Sequence, residues 1–164
     1  MVIYVCGAVA VLAAILVITR TNAVHALLWL IVSLLAVAVI FYAVGAPFVA
    51  ALEVIIYAGA IMVLFVFVIM MLNLGPGTSD QRPSPRAWAG PAVASLVLLV
   101  QLIVVLRGEG AGAPAGERLP IEEVSAALFG PYVLGVELVS ILLLAGLVAA
   151  YHLGRRALSR EEDE

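Results

Sequence analysis

Glu53 and Tyr57 stand four residues apart inside residues 47–74, PFVAALEVIIYAGAIMVLFVFVIMMLNL. That run is apolar for longer than the ~20 residues a membrane-spanning helix needs. An ionisable group at membrane depth costs roughly 2.5 to 3.5 kcal/mol even on the mild insertion scale, so a retained one faces protein or water and marks a functional position. Four residues is close to one helical turn, which puts the carboxyl of Glu53 and the phenol of Tyr57 on one face. A carboxyl and a phenol so placed can hold a proton or pass it through water. The bland reading is a neutral carboxylic acid that hydrogen-bonds to another helix as packing glue.

Glu137 lies a similar few residues inside a later apolar run, where it is either hydrated near the headgroups or at a depth comparable to that of Glu53. Gly59 follows Tyr57 within the small triplet Ala58, Gly59, Ala60. A glycine in mid-helix costs up to about 1 kcal/mol relative to alanine and needs a reason. Close helix packing is one, and a local π-bulge or hinge is another.

Other chemistry finds little support. The single cysteine, Cys6, sits in the first apolar run and cannot form an internal disulfide or a CxxC pair. His25 and His152 fall at the same side of the membrane, where a bis-imidazole haem is conceivable but capping and water-bonded imidazoles are commoner. Met62, Met70 and Met71 read as adaptable packing. No phosphate loop, nucleophile elbow or metal-ligand cluster is apparent, so the chain is expected to carry no cofactor and no catalytic residues of its own.

The elements that position these groups follow from composition. Of 164 residues 65% are hydrophobic and 12% charged, against about half and a quarter in soluble domains, and the mean hydropathy is +1.23. The chain is therefore an all-α polytopic membrane protein. Spans are predicted at about 2–19, 23–44, 48–73, 88–106 and 132–153, in one transmembrane domain over 1–154 with a charged, frayed tail at 155–164. Gly7, Ala10 and Ala14 allow close approach in the first span, which has no basic n-region and is read as retained rather than cleaved. Asn22 can cap the second helix, and Gly45 with Pro47 marks the turn into the third. Asn73, Gly75 and Pro76 stop the third helix before a polar loop over 78–86, and a Gly/Ala segment covers 108–116. Between the last two spans, Pro120, Glu122 and Glu123 open a short amphipathic helix with Ile121, Val124 and Leu128 on one face, closed by Gly130 and Pro131.

All eight basic residues are arginine, and an outside N-terminus puts Arg20, Arg82, Arg86, Arg155, Arg156 and Arg160 inside, leaving Arg107 and Arg118 outside. The positive-inside rule then gives an N-out/C-in topology with the amphipathic helix on the outer side. The net charge of −3 without a basic cluster argues against nucleic acid as a partner; the lipid bilayer is the surrounding medium.

Three segments, TNAVHALLWL, LEVIIYAGAIMVLFVFVIMMLNLG and LFGPYVLGVELVSILLLAGLVAAYH, resemble the J-type (mitochondrial chain-6) subunits of NADH:quinone oxidoreductase, the proton-pumping respiratory complex I. The resemblance covers the chain to about Gly154, with Ala23 a departure where relatives often carry proline. It implies a five-helix subunit of a bacterial plasma-membrane complex that couples quinone reduction to proton pumping. Expected partners are the quinone-site, small K-type and antiporter-like subunits, with FMN, iron–sulfur clusters and quinone held elsewhere. It further implies a π-bulge at the YAGA residues, with Tyr57, Ala58, Gly59 and Val63 matching a gating element and Glu53 matching a position near the central chain of charges. The competing expectations are a structural adaptor subunit of a ferredoxin- or F420-dependent dehydrogenase, and a small stand-alone transporter. Five spans with no internal repeat is less than alternating access normally uses.

Overall fold

The computed structural model describes residues 1–72, 85–108 and 120–161, with side chains over 1–72, 88–108 and 120–155. Its secondary structure among those residues is helical throughout. Helix α1 is Val2–Thr19, α2 is Ala23–Ala43, α3 is Pro47–Met71, α4 is Pro85–Leu106, α5 is Ile121–Phe129 and α6 is Val133–Glu161. All but α5 are long and apolar enough to cross a membrane, making this a multi-pass membrane protein. The expected stop at Asn73, Gly75 and Pro76, the loop over 78–86 short of α4, and the Gly/Ala segment past Gly108 lie outside the described residues.

Two compact units divide the chain, Met1–Arg118 and Leu119–Glu164. In the first, α2 packs against α1, α3 and α4. Its start is set by Asn22, whose side-chain oxygen accepts from the Val24 and His25 N–H groups at 3.0 and 3.3 Å. Its end is a Schellman turn. Gly45 takes a left-handed φ of 95°, its N–H donates to the Tyr42 carbonyl, and the Ala46 N–H donates to Phe41. Pro47 then opens α3 at a position where a missing N–H costs nothing.

Of the expected Gly7, Ala10 and Ala14, Ala10 lies on the seam of α1, half-buried against the core, whereas Gly7 and Ala14 do not. Val2, Cys6 and Ala13 are its buried residues; a Cβ on Gly7 would meet nothing within 4 Å, and Ala14 is exposed. The helix is apolar all round, so composition could not fix which stripe faces α2. The Ser33 hydroxyl, donating to the Ala10 carbonyl at 3.0 Å, pins the two helices together. Val32, Ala36 and Val39 complete this core with Leu98 and Val105 from α4.

Helix α4 carries Pro91 in its interior and meets α2 where Gly90 lies under Trp29. A Cβ at position 90 would sit 2.8 Å from the Trp29 ring carbon Cζ2. Gly90→Leu should therefore overpack this crossing and destabilise it by about 1–3 kcal/mol. Thermal dissociation of the assembled complex measures the effect. Unchanged melting would show that Trp29 swings aside freely.

In the second unit, α5 follows Pro120 as expected, and Gly130 ends it where a Cβ would lie 2.6 Å from the Ala126 carbonyl oxygen. Val124, Ala127 and Leu128 are its half-buried side, whereas Ile121 is exposed. Helix α6 does not stop at 153 but runs on to Glu161. Arg, Ala and Leu are strong helix formers, and no proline follows Gly154 to end the helix.

Candidate functional site

The third helix changes its winding in the middle. Residues Pro47–Leu52 and Met62–Met71 are α-helical, but Glu53–Ile61 forms a π-helix, in which N–H groups reach back five residues instead of four. At its end the Met62 N–H points to the carbonyls of Tyr57 and Gly59, five and three residues back, passing over Ala58, its α-helical partner.

Gly59 fits this winding. A Cβ there would lie 3.2 Å from the carbonyl oxygen of Val54, the residue five back, so the π turn brings that oxygen against the bare Cα face. Among the described residues nothing outside the helix crowds the position. The mid-helix glycine therefore answers to π geometry, not to close contact with another described helix. Val54 was not singled out from sequence; its only signal is its place five residues before the glycine.

All the predicted residues of this helix lie within or just past the π segment. Glu53 is its first residue and is half-buried; Tyr57 is 49% exposed, and Ala58 and Gly59 are half-buried. Val63, one residue past the anchoring Met62, is 51% exposed, whereas Met62 itself is 4% exposed and packs inward. Four residues in a winding with five-residue hydrogen bonds is still close to one turn, so Glu53 and Tyr57 remain on one side of the helix. The arrangement offers a carboxyl and a phenol along one side of a helix that is wider than an α-helix.

The remaining predicted groups lie on other helices. Glu137 lies on α6 in the second unit and is exposed there, near Ser140, whose hydroxyl donates back to the Val136 carbonyl at 3.1 Å. His152, also on α6, is exposed. His25, in the first unit, packs its ring edge-on to Trp88, with centroids 6.1 Å apart, and its Nε2 is shielded with no hydrogen-bond partner among the described residues. Among the described residues no group of three or more His, Cys, Asp or Glu side chains converges in a way that could hold a metal ion.

Residues 13–153 match the family described as NADH-ubiquinone/plastoquinone oxidoreductase chain 6, a span that includes every residue named above for the π segment and Glu137. The chain is 57% identical over 157 residues to NADH-quinone oxidoreductase subunit J of Pseudomonas aeruginosa, covering 93% of this chain and 95% of that one. It is 53% identical over 155 residues to the protein of the same name from Escherichia coli (strain K12), covering 93% and 84%. For the relative of that name from Buchnera aphidicola subsp. Schizaphis graminum the identity is 46% over 157 residues, covering 94% and 96%.

Proposed function

The chain belongs to the NADH-ubiquinone/plastoquinone oxidoreductase chain 6 family and is a membrane subunit of an NADH-quinone oxidoreductase, and we propose that within it the π segment of α3 helps couple quinone reduction to proton pumping. The readings as an adaptor in a ferredoxin- or F420-dependent dehydrogenase and as a stand-alone transporter give way to it, since relatives sharing about half or more of its residues over nearly their whole length are named as NADH-quinone oxidoreductase subunits.

The observation that carries the coupling role is the coincidence of three features in nine residues: the half-buried Glu53, the phenol of Tyr57 one turn on, and a winding that Gly59 permits. A π segment flanked by α-helix has a close neighbour in energy, the same chain wound as α, and changing between them rotates one half of the helix against the other. In this reading the π form holds open a hydrated path past Glu53, and rewinding closes it. Tyr57, Ala58, Gly59 and Val63 form the gate, and Glu53 relays the proton, with Glu137 serving the same traffic from α6. The chain performs no redox step; FMN, iron–sulfur clusters and quinone belong to partner subunits. Other subunits of the complex are its partners, the quinone-site, K-type and antiporter-like subunits foremost. The setting is the bacterial plasma membrane, with the N-terminus outside and the C-terminus inside.

Glu53→Gln tests this directly because it keeps the shape and the hydrogen-bonding capacity while removing the exchangeable acid. In inverted membrane vesicles, proton pumping driven by NADH should fall several-fold, while NADH oxidation by an artificial acceptor stays at the wild-type level. Equal loss of both in an intact complex would assign Glu53 to assembly instead.

A further inference from the structure

No further inference is drawn: the strongest candidate, the face of α6 on which Glu137 and Ser140 stand exposed in a membrane span, carries nothing, since nothing in the structure shows what covers it.

Discussion

Gly59→Ala is expected to lower NADH-driven proton pumping by at least fivefold while the complex assembles and oxidises NADH with artificial acceptors as before. Two effects act in the same direction. In the π form the new methyl would lie 3.2 Å from the Val54 carbonyl oxygen, which must give by a few tenths of an ångström and so strains that turn. In an α-wound alternative the same substitution is favourable, because alanine exceeds glycine in helix propensity by about 1 kcal/mol. Together they shift the balance by about 1–2 kcal/mol towards the α form, a population change of roughly 5- to 30-fold. Nothing beyond the helix itself lies within reach of the added carbon among the described residues of this chain, and unchanged assembly separates the effect on winding from a packing defect. Proton uptake by inverted vesicles, normalised to NADH oxidation by ferricyanide, measures the effect. Wild-type pumping in Gly59→Ala would mean that the winding of this segment does not limit coupling.

How the sequence announced these features differs from one to the next. Helix ends were readable because caps use side chains with a specific job: Asn22 accepts from two free N–H groups, and Gly45 and Gly108 take the left-handed φ that closes α2 and α4. The seam of α1 was not, because leucine, valine and alanine on every side leave no polar face to mark the outside, and only the packing against α2 selects Cys6 and Ala13. The last helix outruns its apolar span: Arg155 and Arg156 signal departure from hydrocarbon, not the end of a helix, and the backbone continues helical to Glu161. The π segment is the most telling case. Local composition allowed Gly59 to mean packing or a bulge, since both tolerate a bare Cα, and only resemblance to a family favoured the bulge. What separates them is the 3.2 Å approach of a carbonyl five residues back, a distance that exists only once the helix has been wound.

Deleting Ala60 separates winding from side-chain chemistry. A π turn takes up about one residue more than an α turn, so removing one residue from within Glu53–Ile61 allows regular α hydrogen bonding from Pro47 to the end of α3. The two flanks keep their faces: Pro47–Leu52 stays at the α2–α3 turn and Met62 remains buried, with the helix shortened by no more than about 1.5 Å. Glu53, Tyr57 and Gly59 all survive, and the spacing of four between the acid and the phenol is untouched. The expected result is an assembled complex whose NADH oxidation by ferricyanide is unchanged and whose proton pumping is abolished. Removal of Val66, from the α-helical half, is the matching control. There no extra residue exists to absorb the loss, so everything beyond it rotates by about 100° and assembly itself should fail. If the Ala60 deletion pumps like the wild type, the acid and the phenol suffice in an ordinary α-helix. If it fails to assemble just as the Val66 deletion does, the π turn is structural, and the gate must be sought on another helix.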